Sequence, residues 1–166
     1  MQTNKQLELA FNFVRFTGQN IFLTGKAGTG KTTFLKSLKE KSPKRMIVVA
    51  PTGVAAINAG GVTIHSFFQL SFAPQIGIER EQTAQMRFTR EKINIIRSLD
   101  LLVIDEISMV RADILDAVDR VLRRFKNRNK PFGGAQVLMI GDLQQLAPVI
   151  KNEEWSLLKR EYETVY

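Results

Sequence analysis

Hydrophobic positions along the chain switch between two periods, and the switches mark out alternating helices and strands. Apolar residues at helical spacing run from Leu7 to Phe16, and Gly18 stops them. Ile21-Phe22-Leu23 is a short continuous apolar run that predicts a buried strand feeding Gly25. Thr32 to Leu38 has helical spacing and ends before Pro43, while Met46–Ala50 is β-branched and lies between prolines, which predicts a strand. Gly53 to Ala59 predicts a short helix closed by Gly60 and Gly61. From Ser71 to Phe88 periodicity is weakest, and a long surface excursion is expected. Arg90 to Leu99 then predicts a helix and Leu101–Ile104 a buried strand. Ile114, Leu115, Val118, Val121, Leu122 and Phe125 form the apolar stripe of a longer helix. Gly133-Gly134 turns the chain into a strand over Gln136–Ile140, and Glu161–Tyr166 closes the sequence as a strand-like run.

Strands alternating with helices imply parallel pairing through right-handed crossovers, hence an α/β fold with a mostly parallel sheet. Ligands of such sheets bind beyond the carboxyl ends of the strands. The chain's candidate chemistry lies at those ends.

Gly25-Lys-Ala-Gly-Thr-Gly30-Lys31-Thr32 matches the phosphate-binding loop of P-loop NTPases in full, between an apolar strand and a helix. Glycines let backbone N–H groups turn inward around phosphate oxygens, and the helix N-terminus adds a favourable partial charge. The nucleotide-binding set is therefore Gly25, Ala27, Gly28, Thr29, Gly30, Lys31, Thr32 and Thr33. Lys31 can reach the β- and γ-phosphates of ATP, and the Thr32 hydroxyl can ligate Mg2+. Downstream, Leu101-Leu-Val-Ile-Asp105-Glu106 is an apolar strand ending in two carboxylates. Phosphoryl transfer needs one acid to hold hydrated magnesium and another group to orient the attacking water. Asp105 fits the first role and Glu106 the second.

Composition narrows the partners. The 166 residues carry 24 Lys and Arg against 16 Asp and Glu, a formal charge of +8, which suits a polyanion such as nucleic acid. There is no cysteine and one histidine, so disulfide frameworks and thiolate or histidine-rich zinc sites are excluded. The N-terminal residues lack the apolar core of a signal peptide, and apolar runs are too short to span a bilayer. A soluble intracellular protein is expected, cytoplasmic or at the nucleoid or nucleus, with no membrane partner.

Several further segments carry a resemblance. Ala50-Pro-Thr-Gly-Val-Ala-Ala56, Thr63-Ile-His-Ser-Phe67, Asp105-Glu-Ile-Ser-Met-Val110, Phe132-Gly-Gly134 and Gly141-Asp-Leu-Gln-Gln-Leu-Ala-Pro-Val149 resemble, in order, the motifs of PIF-type helicases. These belong to superfamily 1, in the 5′-to-3′ branch that contains RecD. The resemblance implies a RecA-like ATP-binding domain over residues 1–166, the first motor domain of a longer DNA helicase, and a monomer is expected. It implies a second RecA-like domain that supplies arginines to the transition state. It also implies that Gln6 reads the adenine base, the alternative being an exposed polar residue in the first helical turn. Gln145 would sense the γ-phosphate, whereas Asp142 is expected to order its loop. Ala147 stands where the family usually has proline, which should loosen that loop.

By the same resemblance, Thr52 and His65, with Pro148 and Val149, line a track for single-stranded DNA; a structural role is the alternative for His65. Phe67, Phe68 and Phe72 could stack on bases, although core packing is expected for at least two of them. Arg120, Arg123, Arg124, Lys126, Arg128 and Lys130 form a late-helix basic cluster. A DNA-backbone footprint is one reading. The stronger one is macrodipole complementation, supported by Asp116–Arg120 and Asp119–Arg123 pairs. Two readings outside helicases remain, a non-motor nucleotide switch and an AAA-type remodelling ATPase. Gly141–Val149 and Thr63–Phe67 favour the helicase over both.

Overall fold

The computed structural model describes residues 4–26, 28–76 and 87–166. Its helices are α1 (Lys5–Phe16), α2 (Lys31–Lys41), α3 (Gly53–Ala59), α4 (Ile64–Phe68), α5 (Arg90–Ser98), α6 (Ala112–Phe125) and α7 (Asn152–Leu158). The strands are β1 (Ile21–Thr24), β2 (Met46–Ala50), β3 (Val62–Thr63), β4 (Leu101–Ile104) and β5 (Gln136–Gly141). They form one sheet in the order β1-β5-β4-β2-β3, and every pairing in it is parallel.

Strand side chains alternate between faces, and β4 shows what this does in a covered sheet. Leu101 and Val103 face one core with Leu23, Val48, Leu138 and Ile140, closed by Ala10 and Val14 of α1 and Phe34, Leu35 and Leu38 of α2. Leu102 and Ile104 face the other with Val49 and Val137, closed by Phe67 and Phe68 of α4, Ile96 of α5, and Ile114, Val118, Val121 and Leu122 of α6. All four residues of β4 are fully buried, which explains a continuous rather than alternating apolar run.

Gly60 and Gly61 end α3 as expected. Gly60 adopts φ +62°, and a Cβ at Gly61 would lie 2.2 Å from the Val48 carbonyl oxygen, so any side chain there would force β2 and the turn apart. β3, α4 and α7 have no counterpart in the pattern reading. β3 is only two residues long, and α4 and α7 are too short for a clear helical period.

Two expectations are corrected, and a third is described at its ends. Glu161–Tyr166 is not a strand; it runs through turns beside α6, where the Ala112 N–H donates to the Val165 carbonyl at 3.0 Å and the Tyr162 hydroxyl to Asp116 at 2.7 Å. The segment packs on a helix, and β1 and β3 remain the sheet edges. The Asp116–Arg120 pair is not formed, because Asp116 is engaged by Tyr162 and Arg120 donates to the Gln75 carbonyl at 3.2 Å. The excursion from Ser71 to Phe88 is anchored at both described ends: Gln75 is buried, and Phe88 packs edge-on against Phe125 at 5.0 Å. Its central part, residues 77–86, lies outside the described residues. Among the described residues no helix is long and apolar enough to cross a membrane.

Candidate functional site

The loop between β1 and α2 turns on Gly28 and Gly30, whose φ values of +78° and +91° fall where a side chain is strained. Gly30 caps α2, and no side chain occupies that cap, so the first-turn N–H groups are left for an external acceptor. The Lys31 ammonium donates to the carbonyls of Gly25 and, at 2.8 Å, Lys26. Thr29 donates to the Lys26 carbonyl at 2.9 Å. The loop's own oxygens thus hold the lysine across the cradle. Ala27 lies outside the described residues.

A polar cavity of about 380 Å³ opens against this loop, at the carboxyl ends of the strands. Lys31, Thr32, Asp105, Glu106 and Gln145 line it together, with Gly28, Gly30 and Thr33 from the loop side. Burial pushes the Asp105 carboxyl above the usual carboxylate range, opposed by the Glu106 N–H that donates to it at 3.1 Å and by the Lys31 charge. Glu106 is also pushed up, first by burial and then by Asp105, with Lys31 opposing. The Glu106 backbone is left-handed, φ 51° and ψ 46°, a conformation that costs a non-glycine residue on the order of 1 kcal/mol. That turn breaks the line of β4 and sets the two carboxylates in one cavity.

Asp142 organises the turn after β5. Its carboxylate accepts from the Gln144 N–H at 3.0 Å and the Gln145 side-chain amide at 3.2 Å, and its carbonyl accepts from the Gln145 N–H at 2.9 Å. Gln145 therefore enters the cavity on a tied turn. Gln6 sits exposed in the first turn of α1, its backbone N–H capped by Asn4 at 3.1 Å. Its neighbour Leu7 reaches the loop, 3.4 Å from where a Cβ on Gly30 would stand.

A second groove, of about 290 Å³, gathers Thr52, His65 and Val149. Pro148 is buried and does not line it. Thr52 has a structural duty, since its hydroxyl caps α3 by accepting from the Ala55 N–H at 3.2 Å. His65 stacks on Phe72, centroids 4.5 Å apart and planes at 20°. Burial, then the Arg111 charge, depress the His65 imidazole below the usual histidine range, with Asp113 opposing. Of the three phenylalanines, Phe67 and Phe68 are core, whereas Phe72 is 78% exposed.

The groove also contains residues the sequence reading missed. Arg111 makes two 2.9 Å bonds to the buried carboxylate of Asp113, which also accepts from the Gln75 N–H at 2.8 Å. Lys151 and Glu154 line the same groove. Arg111 and Asp113 stand two residues apart, but the third partner, Gln75, is far away along the chain, and no local pattern announces it. The late-helix cations are largely engaged elsewhere: Arg123 with Asp119 at 2.6 Å, Arg124 over the Phe125 ring, and Lys126 with the carbonyls of Arg97 and Leu99.

The chain is similar to known proteins in sequence and in fold. The family model for PIF1-like helicases matches residues 4–159. The human ATP-dependent DNA helicase PIF1 is 42% identical over 139 residues, 82% of this chain and 21% of that protein. The Emericella nidulans helicase of the same name is 41% identical over 145 residues, 80% of this chain and 18% of that one. Among solved structures, a Bacteroides Pif1 bound to single-stranded DNA is 48% identical with a TM-score of 0.90, covering 100% of this chain and 38% of that one. A Bacteroides Pif1 in complex with ADP-AlF4 gives 47% and 0.90 over the same shares. The chain thus spans about a fifth of these curated relatives and 38% of the solved chains. Its parallel sheet is the RecA-like fold of those helicases.

Proposed function

Because this chain belongs to the PIF1-like helicase family, we propose that it is the ATP-binding and hydrolysing motor domain of an ATP-dependent 5′-to-3′ DNA helicase. One observation carries the reading: Lys31, Thr32, Asp105, Glu106 and Gln145, drawn from three separate strand ends, line a single cavity. Each then has work in phosphoryl transfer. The glycine-loop N–H groups and the Lys31 ammonium bind the phosphate oxygens. Glu106 accepts the proton of the attacking water, and its raised pKa brings it nearer the pH at which a general base works best. Gln145 donates to the γ-phosphate and reports its loss through the turn that leads to Val149. Gln6 reads the adenine edge from the start of α1.

The donor set fits Mg2+. Thr32 and Asp105 offer oxygen ligands beside the phosphate cradle, and no cluster of three or more potential ligands forms a cage among the described residues. Magnesium is usually held this way, by one or two protein oxygens and the substrate's phosphates. When bound, the ion neutralises charge on the β- and γ-phosphates.

No arginine among the described residues lines the cavity. The transition-state arginines are assigned to a second RecA-like domain, with residues 1–166 as one motor domain acting as a monomer. The partner is single-stranded DNA, which the solved relative named above binds, and the setting is intracellular. An arginine finger contributes roughly 10³–10⁵ in rate, so the 166-residue chain should bind Mg-ATP and hydrolyse it slowly. Nucleotide titration followed by phosphate release checks this. Brisk, DNA-stimulated turnover by a verified monomer would overturn the arginine assignment, and failure to bind ATP would overturn the motor reading.

A further inference from the structure

The turn that carries Glu106 rests on the end of β5. β4 and β5 stay in register as far as Ile104 and Met139, and two residues later the left-handed Glu106 rolls its chain out of the sheet. Gly141, the last residue of β5, lines the nucleotide cavity. Its backbone is not left-handed, so conformational freedom does not account for the glycine. Space does. A Cβ on Gly141 would stand 2.9 Å from the Ile107 Cγ2, 3.0 Å from the Ile107 nitrogen and 3.3 Å from the Ser108 nitrogen, all closer than ordinary van der Waals contact. Glycine within a strand marks this kind of close approach by a second stretch of backbone. Side chains do little to hold the turn in place: Glu106 forms no cap with its own side chain, and the buried Ser108 hydroxyl finds no hydrogen-bond partner among the described residues. The Met109 N–H donates to the Glu106 carbonyl and the Val110 N–H to the Ile107 carbonyl, both at 3.0 Å, which closes the turn on itself. Contact with Gly141 then sets where the turn sits. The next residue, Asp142, ties Gln145 into the same cavity.

We propose that Gly141 is a positioning residue for hydrolysis: its bare backbone seats the Glu106 turn and so fixes the Glu106 carboxylate relative to Gln145. This rests on the reading of the cavity as the site of ATP hydrolysis and adds to it a residue that acts through Glu106. A catalytic group must be held within about 0.5 Å of its productive place. A methyl group on Gly141 would push the turn back by at least a few tenths of an ångström. None of the three atoms nearest that methyl belongs to the phosphate loop, so the displacement falls on the general base and not on the phosphate cradle.

The test measures single-turnover phosphate release and equilibrium ATP binding on the 166-residue chain. Gly141→Ala should slow release roughly 10–100-fold, the scale for misplacing a catalytic group by up to about 1 Å, and leave ATP affinity unchanged. Combined with Glu106→Gln it should slow the reaction little beyond Glu106→Gln alone, because residues that act as a unit do not lose activity additively. Ile107→Leu removes the Cγ2 methyl at nearly constant volume, and in that background Gly141→Ala should cost less. Thermal denaturation checks that Gly141→Ala is folded; where it is not, the Ile107→Leu background carries the same comparison with Glu106→Gln. A wild-type rate in Gly141→Ala, ATP affinity that falls in step with rate, or losses that multiply with Glu106→Gln would each overturn the seat and leave the hydrolysis site standing. A wild-type chain that binds no ATP, or whose rate Glu106→Gln leaves untouched, would overturn the site itself.

Discussion

The nucleotide cavity is assembled from main chain and strand-end carboxylates, whereas the groove is assembled from side chains that also hold the fold together. In the cavity, the loop's carbonyls position Lys31, the Glu106 N–H steadies Asp105, and a backbone turn aims Glu106. In the groove, Thr52 caps a helix, His65 braces a ring and Arg111 neutralises a buried acid. One segment serves both: Asp105 and Glu106 line the cavity, and Met109, Val110 and Arg111 line the groove. The first site can therefore lose its chemistry without losing structure, while changes in the second combine binding with stability.

The largest expected effect separates chemistry from everything else. Glu106→Gln keeps the side chain's shape and removes the proton acceptor, so single-turnover hydrolysis should fall by about 10²–10⁴. ATP affinity and single-strand affinity should both persist. Lys31→Ala should instead weaken ATP binding through loss of charge-assisted contacts worth about 1.5–3 kcal/mol. If the two variants lost nucleotide affinity equally, the division of roles within the cavity would be wrong.

The groove should behave in the opposite way. Asp113→Ala leaves the buried Arg111 guanidinium without its carboxylate and the Gln75 N–H without an acceptor. Removing one partner of a buried pair costs roughly 3–5 kcal/mol, which corresponds to a fall of roughly 6–20 °C in Tm for a chain of this size. Thermal denaturation measures it. Where the chain remains folded, ATP affinity should be close to normal, because Asp113 does not line the nucleotide cavity. A Tm within a degree of wild type would show that the pair contributes nothing to the groove's shape.

This contrast also explains what the sequence made legible. The phosphate loop is eight consecutive residues, and its glycines are dictated by backbone geometry that no other residue adopts freely. The apolar run of β4 ends directly in its two acids, so strand and chemistry are read together. The α/β alternation was equally clear because β4 is buried on both faces and α6 has a single apolar stripe. The groove draws on separated stretches around Thr52, His65, Phe72, Arg111 and Val149, and only folding brings them together. Family resemblance pointed to Thr52, His65 and Val149, but not to the burial of Pro148 or the presence of Lys151. Asp116 was expected to pair with Arg120, yet Tyr162, distant in sequence, reaches it first.

A smaller effect tests whether Thr52 acts through structure or through DNA. Loss of its hydroxyl removes the α3 cap, so Thr52→Ala should cost about 1 kcal/mol of stability, or roughly 2–4 °C in Tm. Thr52→Ser retains the capping oxygen and should recover that loss. If the hydroxyl also donates to DNA, serine should restore single-strand affinity in parallel. Affinity that stays low in the serine variant while Tm recovers would assign the contact to the threonine methyl group.

The smallest effect concerns His65, the chain's one histidine. Burial and the Arg111 guanidinium hold its imidazole below the usual range, Asp113 opposes them, and Lys151 and Glu154 are the remaining charged groups of the groove. A histidine with a depressed folded-state pKa binds fewer protons folded than unfolded. Its contribution to stability is therefore complete above the unfolded value, about 6.5, and is lost as pH falls through the folded value. Between pH 7 and pH 5.5 the wild-type Tm should decline more than that of His65→Phe, which retains a ring for Phe72 but cannot take a proton. Proton NMR should place the His65 midpoint below 6.5, and single-strand affinity should be flat from pH 7 to 8. A midpoint above 6.5 would make His65 a cation near neutrality, suited to phosphate rather than to bracing the Phe72 ring. The groove would then work by charge, as the nucleotide cavity does, and the contrast between the two sites would fail.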